Sequence, residues 1–180
     1  MVSIASLIIM GCSSLTNFTL VQTEYGEYTY FKSGAQMPTV ILESGLGDNM
    51  TSWKEAISKM DNSRQIIAYN RAGYSGSSSL HSERNAKNII VELRTLLQQV
   101  NASPPYILVG HSLGGLYMQL FAKTYPEEVL GVVLVDSTHA GKEPECSKTE
   151  NDSCQPADEI PWWASAVLPN AVAGEYKSMP

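Results

Sequence analysis

One serine lies in a sequence pattern that suits nucleophilic catalysis. Ser112 is the centre of the pentapeptide Gly-His-Ser-Leu-Gly at positions 110–114. The pentapeptide follows an apolar run that ends at Val109 and precedes an amphipathic segment that begins at Leu113, so it predicts a turn from strand to helix. Such a turn strains the serine backbone and leaves no room for side chains at the flanking glycines. The helix would direct its positive end at Ser112, where an oxyanion could form.

The elements that position this serine can be predicted from the spacing of apolar residues. Continuous apolar runs of four residues or fewer are typical of strands that are covered on both faces. Apolar residues at three- and four-residue steps between the runs predict helices. An earlier pair of segments around a glycine turn predicts a hairpin. The runs are 40–42, 66–69, 106–109 and 132–135, the helices lie within 50–60, 89–100 and 113–125, and the hairpin strands are 18–24 and 28–33.

This order of elements predicts the fold class. Strand and helix alternate through the middle of the chain, which requires crossover connections and a parallel sheet. We therefore predict an α/β fold, with a mainly parallel sheet sandwiched by helices and incomplete at the C-terminus. We divide the chain into a leading segment at 1–17, a core at 18–140 and the start of a cap or lid region at 141–180, where the pattern of alternation ends.

Three segments of the chain resemble segments of one protein family, and they follow one another along the chain in the same order as in that family. The sequence Gly-His-Ser-Leu-Gly-Gly at 110–115 looks like the nucleophile elbow of the α/β-hydrolase family of esterases, lipases and related acyl hydrolases. Residues 42–48, at the end of a predicted strand, resemble the oxyanion loop of that family. Residues 69–77 resemble the Asp-Arg-x-Gly-x-Gly-x-Ser turn after the next strand. The resemblance covers roughly residues 18–139 and implies that Ser112 is the nucleophile.

The chain departs from the family pattern at three positions. The usual His-Gly of the oxyanion loop is Ser44-Gly45 here. In the turn after the next strand, Asn70 replaces the Asp and Ser75 replaces the second Gly. Within these segments we interpret Glu43 as structural and Arg71 as a residue that braces loops.

The resemblance also implies the oxyanion hole and the reaction. The backbone N–H groups of Leu46 and Leu113 would bind the oxyanion, each contributing about 3 kcal/mol to the transition state. The implied reaction is hydrolysis of a carboxylic ester through an acyl-enzyme, and the implied partner is a small-molecule ester. A serine nucleophile argues against the epoxide- and haloalkane-cleaving relatives, which use Asp. No metal or cofactor is implied, and acyl transfer to an alcohol remains an alternative.

The acid and the base of the triad are less well defined than the nucleophile. Family order is Ser, then Asp or Glu, then His. Asp136 ends the apolar run after the elbow, and His139 is the one histidine that follows Ser112 in the chain. These two are our candidates, because His81 is predicted to lie on the surface and His111 to point away from Ser112. One alternative, which we favour, is that the chain ends within the cap region and that the acid and the base lie in a continuation. Another is a pseudo-hydrolase in which no base reaches Ser112.

The N-terminus and the cysteines predict an exported, lipid-anchored protein of the bacterial cell envelope. Residues 2–10 form an apolar run too short to span a bilayer, and they lead into Gly11-Cys12. This junction resembles a lipobox, in which the lipidated Cys12 becomes the mature N-terminus and attaches the protein to the membrane. Cys146 and Cys154 would then remain as an even pair, and such a pair suits a disulfide. The alternative is a cytoplasmic protein with an apolar leading segment and reduced cysteines.

The charge balance excludes one class of partner. The chain has a formal net charge of -6, and its 12 basic residues form no run. Nucleic-acid binding needs clustered Lys and Arg to neutralise phosphates, so we exclude it. The hydrophobic content of 43% and the charged content of 17% are those of an ordinary globular protein.

Overall fold

The structure, a computed structural model, describes residues 18–78 and 83–138. Several features predicted from the sequence lie outside these ranges. They are the leading segment at 1–17 with Cys12, the cap region at 141–180 with Cys146 and Cys154, and both His81 and His139.

The described strands form one mixed sheet. β3 to β6 run parallel to one another, whereas β1 pairs antiparallel with β2 and β2 pairs antiparallel with β4. The order across the sheet is β1-β2-β4-β3-β5-β6, which confirms the predicted α/β class with a mainly parallel sheet. The strands are β1 Thr19–Thr23, β2 Gly26–Ser33, β3 Gln36–Glu43, β4 Arg64–Tyr69, β5 Tyr106–His111 and β6 Val129–Val135.

The helices follow the predicted spacing closely. The segment predicted over 50–60 divides into a 3-10 turn at Met50–Trp53 and a short helix, α1, at Lys54–Lys59. The side chain of Asn49 accepts a hydrogen bond from the Thr51 N–H and so caps the 3-10 turn. Helix α2 spans Ala86–Gln99 and helix α3 spans Leu113–Thr124. A second 3-10 turn, Pro126–Glu128, follows α3 because proline cannot continue the helix.

Both faces of the central strands are covered, which explains their continuous apolar runs. On one face, α2 and α3 pack a large cluster of buried side chains that includes Ile41, Leu93 and Phe121. On the other face, the 3-10 turn and α1 pack a smaller cluster that includes Leu42 and Trp53. Neighbouring residues of β3 thus point into different clusters, as successive residues of a strand must.

The last described strand, β6, is incompletely covered. Among the described strands it pairs with β5 alone. Leu130 is 65% exposed and Val133 is 49% exposed, and three more apolar residues of the strand are also exposed. A contiguous apolar strand with an open edge is a template for pairing with another chain.

We therefore predict that the 180-residue chain self-associates through β6. Val133→Lys should lower the association constant at least about tenfold, because the charge must be desolvated on pairing. Sedimentation velocity measures this directly. Leu20→Lys is the matched control, since Leu20 is 56% exposed on the opposite edge strand, β1, which is mostly polar (Thr19, Gln22 and Thr23). Equal effects of the two substitutions, or none from Val133→Lys, would contradict the prediction.

Candidate active site

Ser112 occupies a strained turn between β5 and α3. Its backbone has φ 50° and ψ -122°, a left-handed conformation that non-glycine residues rarely adopt. The end of β6 holds it there: the Ser112 N–H donates to the Val135 carbonyl at 3.1 Å. The Ser112 carbonyl accepts from the N–H groups of Thr138 and Gly115, both at 3.0 Å. Strain of this kind persists only where surrounding bonds maintain it, and it concentrates at functional sites.

The glycines around Ser112 allow the backbone segments to approach each other. A Cβ atom on Gly110 would lie 2.5 Å from the Gly115 Cα atom. A Cβ atom on Gly114 would lie 2.6 Å from the carbonyl oxygens of both Glu43 and Ser44. No side chain fits at either position without moving backbone atoms. The start of α3 therefore packs directly against the end of β3 and the residues that follow it.

These following residues, Ser44–Asn49, form a loop that we call the β3 loop, and part of it lies beside the nucleophile. A Cβ atom on Gly45 would lie 3.3 Å from the Ser112 Cβ atom. Gly45, the residue before Leu46, is thus adjacent to Ser112. In the described part of the chain, the Leu46 N–H has no hydrogen-bond partner. The Leu113 N–H is in the first turn of α3, where N–H groups have no acceptor within the helix.

A buried ion pair supports the β3 loop from behind. Glu43 is fully buried and Arg71 is 3% exposed, and their side chains form a salt bridge. The Arg71 guanidinium also donates to the carbonyls of Ser44 and Gly45, each at 2.7 Å. The Tyr69 hydroxyl donates to the second carboxylate oxygen of Glu43. Burial and the nearby Glu43 carboxylate raise the pKa of Tyr69 well above its usual value, so Tyr69 remains a donor.

Two aromatic residues complete the support of the loop. The Gly47 N–H donates to the Tyr74 hydroxyl at 3.2 Å, and the Arg71 guanidinium lies 4.5 Å from the centre of the Tyr74 ring. The Trp53 indole N–H donates to the Ser44 hydroxyl at 3.1 Å. These contacts agree with the bracing role inferred for Arg71. The roles of Tyr74 and Trp53 were not predicted from the sequence. The sequence feature that could have indicated them is that each is an aromatic residue within a polar turn.

The amide of Asn70 joins two turns near the site. Asn70 is 3% exposed, and its side-chain oxygen accepts from the Met50 N–H at 2.8 Å. Its side-chain nitrogen donates to the Ser75 carbonyl at 2.6 Å. An ionised Asp could accept the first bond but could not donate the second. The departure from the family pattern at position 70 therefore fits the local hydrogen bonds.

Of the candidate acid and base, only the acid, Asp136, lies within the described residues. Asp136 follows the carboxyl end of β6, just as Ser112 follows the carboxyl end of the parallel strand β5. Asp136 is exposed and has φ 45°. Within the described ranges, no hydrogen bond to its carboxylate is found, and no histidine forms a hydrogen bond with Ser112. Their roles, and that of His139, stay predictions.

A cavity of about 450 Å³ adjoins the elbow on the α1 side. His111 lines it, together with Trp53 and Val135. The remaining lining residues are largely polar and come from the β3 loop, the 3-10 turn and α1: Asp48, Ser52, Glu55, Ala56 and Lys59. His111 thus borders this cavity, and its imidazole also lies beside Gly45, where a Cβ atom would be 3.1 Å from the His111 Nδ1 atom.

Two further properties concern only residues 18–78 and 83–138. No three His, Cys, Asp or Glu side chains in these ranges are grouped so that they could hold a metal ion. None of their helices is both long enough and apolar enough to cross a membrane.

Comparison with known proteins places the chain within a family. The profile of a family described as having the alpha/beta hydrolase fold matches residues 38–170. The uncharacterized protein YqjL of Bacillus subtilis (strain 168) is 31% identical over 109 residues, which are 61% of this chain and 43% of YqjL.

Solved structures share the fold. A candidate lipase of Acinetobacter baumannii AYE superposes with a TM-score of 0.66 at 24% identity, over 71% of this chain and 43% of that one. Epoxide hydrolase A of Mycobacterium thermoresistibile superposes with a TM-score of 0.60 at 24% identity, over 66% of this chain and 38% of that one. The present chain therefore spans less than half the length of each of these relatives.

The close packing at Gly114 generates a stability prediction. Gly114→Ala should lower the free energy of unfolding by about 3 kcal/mol, because the new methyl group meets two backbone oxygens that cannot move independently. Urea unfolding followed by circular dichroism measures this change. Gly131→Ala is the matched control, since a Cβ atom there has no neighbour within 4 Å, and its effect should stay within about 0.5 kcal/mol. Similar losses in the two variants would contradict the packing described.

A second prediction concerns the amide at position 70. Asn70→Asp should lower the free energy of unfolding near pH 7 by about 2 kcal/mol, because the carboxylate would face the Ser75 carbonyl without a proton to donate. Asn49→Asp is the control, because the Asn49 side-chain oxygen accepts from the N–H and the hydroxyl of Thr51. It should leave stability unchanged within about 0.5 kcal/mol. Urea unfolding of the two variants, compared with wild type, separates these outcomes.

Proposed function

Because the chain belongs to the α/β-hydrolase family, we propose that it is a serine hydrolase that cleaves carboxylic esters through an acyl-enzyme on Ser112. The family supports a hydrolase in general, and the ester specificity is the proposal. The observation that carries it is the strained Ser112 turn, packed against Gly45 of the β3 loop. The Leu46 N–H follows Gly45 in the chain and has no partner among the described residues, which supports its proposed role as a donor to the oxyanion.

The proposed mechanism follows from these positions. The Ser112 hydroxyl oxygen attacks the ester carbonyl carbon while a base takes its proton. The resulting oxyanion accepts hydrogen bonds from the N–H groups of Leu46 and Leu113. Collapse of the tetrahedral intermediate breaks the ester C–O bond, and the protonated base gives its proton to the leaving alcohol. Water then attacks the acyl-enzyme by the same route and releases the acid.

The chemistry of serine favours an ester over an epoxide, although epoxide hydrolases share the fold. An Asp carboxylate that opens an epoxide forms an ester, which water can hydrolyse. A serine that opened an epoxide would form an ether, and an oxyanion hole cannot promote hydrolysis of an ether because no carbonyl is present. Ser112 therefore supports acyl chemistry. Acyl transfer to an alcohol would use the same intermediate with a different acceptor.

The source of the base decides between this function and a second candidate. His111 is the one histidine in the described ranges, and it lines the cavity on the α1 side. We propose Asp136 and His139 as acid and base, with a continuation of the chain as the alternative source. A pseudo-hydrolase that binds ligands without turnover is the second candidate, favoured by the absence of a histidine bonded to Ser112 in the described residues. Loss of the base typically lowers the rate about a million-fold.

Anchoring to the cell envelope through Cys12 is a separate proposal. It is supported by the lipobox-like junction in the sequence and by the even pair of cysteines that remains. Intact mass of the mature protein, purified from membranes, tests it. A lipid-modified N-terminus at Cys12 is the expected result, whereas a mature chain that retains Met1 without lipid would contradict it.

The proposed function predicts covalent labelling at one residue. A fluorophosphonate probe should add to wild-type protein once, and Ser112→Ala should abolish the adduct, because the probe reacts with a serine that is activated for attack. Intact mass measures the adduct, and circular dichroism shows that each variant is folded. Ser58→Ala is the matched control, since the Ser58 hydroxyl is exposed on α1 and bonds to the Glu55 carbonyl.

The outcomes of this experiment separate the candidates. Labelling that depends on Ser112, with hydrolysis of p-nitrophenyl esters, supports the esterase. Folded wild-type protein without an adduct would contradict it and favour the pseudo-hydrolase. Running the same assay on the 180-residue chain and on any longer form that the gene encodes shows whether the base lies within these residues.

A further inference from the structure

We propose that Arg71 is a positioning residue for oxyanion stabilisation, acting through the peptide group between Gly45 and Leu46. This inference rests on the proposed function of Ser112 and deepens it. Arg71 would touch neither substrate nor nucleophile. Its role would be to set the direction and the polarity of the Leu46 N–H.

The geometry of one peptide group carries the first step. The Gly45 carbonyl oxygen and the Leu46 N–H belong to the same peptide plane, and this peptide bond is trans. In a trans peptide the oxygen and the hydrogen point in opposite directions. The guanidinium holds the Gly45 oxygen at 2.7 Å, so the Leu46 N–H must point away from Arg71. Gly45 itself lies beside Ser112, since a Cβ atom there would be 3.3 Å from that of the serine.

The planar guanidinium fixes this peptide more firmly than a single bond would. Arg71 donates through one terminal guanidinium nitrogen to the Ser44 carbonyl and through the second terminal nitrogen to the Gly45 carbonyl. Two successive carbonyls held by one rigid fork leave the intervening backbone little freedom to rotate. A lysine has a single nitrogen and cannot reproduce the fork. The Glu43 carboxylate and the Tyr74 ring hold the guanidinium in its own place.

The charge of Arg71 should also strengthen the donor. A cation bound to a carbonyl oxygen draws electron density through the amide, which makes the N–H at the other end more positive. The effect is substantial only in a site shielded from water, and Arg71 is 3% exposed. An N–H polarised in this way binds an oxyanion more strongly than a neutral ester carbonyl. The benefit therefore falls on the transition state rather than on substrate binding.

A second buried ion pair in the same chain supplies a matched control. One guanidinium nitrogen of Arg84 donates to both carboxylate oxygens of Glu92 at 2.7 Å. The Tyr28 hydroxyl donates to Glu92 at 3.0 Å, just as Tyr69 donates to Glu43. Arg84 is 8% exposed and Glu92 is 3% exposed, but Glu92 lies on α2 rather than beside the elbow. Damage to this pair should lower stability without altering the oxyanion donor.

The experiment compares Arg71→Lys with Arg84→Lys in the full chain. The primary readout is the rate constant for fluorophosphonate labelling of Ser112, since the phosphoryl oxygen of the probe occupies the oxyanion position. Arg71→Lys should slow labelling about tenfold to a hundredfold, a fraction of the loss caused by removing a donor altogether. Arg84→Lys should slow it less than about threefold, although both variants should lose thermal stability.

Two kinetic readouts distinguish positioning from a merely structural role. For p-nitrophenyl butyrate, Arg71→Lys should lower kcat by the same factor as the labelling rate and leave KM within about threefold. Affinity for a trifluoromethyl ketone, which forms a tetrahedral oxyanion on serine, should fall in parallel. If Arg71→Lys does not fold, the double variant Glu43→Gln/Arg71→Gln removes both buried charges, and the same slowing is expected.

Failure of the inference and failure of the proposed function give different results. Ser112 that labels equally fast in the Arg71 and Arg84 variants would overturn the positioning role and leave the esterase intact. A rise in KM with unchanged kcat would also overturn it. Wild-type protein that does not label, or Ser112→Ala that still hydrolyses esters, would overturn the proposed function and this inference together.

Discussion

The site depends on one close contact, between the start of α3 and the chain that leaves β3. At Gly114 the two backbones approach so closely that a Cβ atom would lie 2.6 Å from two carbonyl oxygens. This contact fixes the distance between the Ser112 turn and the β3 loop. The strain at Ser112 is sustained by hydrogen bonds to Val135 and Thr138, at the end of β6 and just beyond it. These three segments meet because the parallel strands that precede them all have their carboxyl ends on the same side of the sheet.

The close contact explains why Glu43 and Arg71 carry buried charges beside it. A loop that must present its N–H groups toward a ligand has to satisfy its carbonyls elsewhere, because unpaired buried polar groups cost about 1–3 kcal/mol each. Arg71 satisfies two of them, and Glu43 compensates the charge that Arg71 brings into the interior. A buried ion pair contributes little net stability on its own, so its value here is better understood as conformational. Arg71 and Glu43 thereby hold the β3 loop in place from its buried side.

Much of the fold could be predicted from the sequence, because continuous apolar runs mark strands that are covered on both faces. The strand cores and the helix that ends before Pro126 were located in this way. Strand lengths were not: β3 begins at Gln36, before the apolar run at 40–42, because backbone pairing does not require apolar side chains. The nucleophile turn was predicted from its glycines. The partners of Arg71 and Asn70 were not, since the Ser44 and Gly45 carbonyls lie 27 and 26 residues away from Arg71 in sequence and only the folded chain brings them together.

The most direct test of the account is a crystal structure of the protein with a phosphonate covalently bound to Ser112. The phosphoryl oxygen then occupies the position that the oxyanion would take. The account predicts that this oxygen lies about 2.7–3.1 Å from both the Leu46 and the Leu113 backbone nitrogens, with Arg71 still bound to the Gly45 carbonyl. A phosphoryl oxygen directed to solvent or to other donors, with the Gly45–Leu46 peptide turned away, would contradict the account.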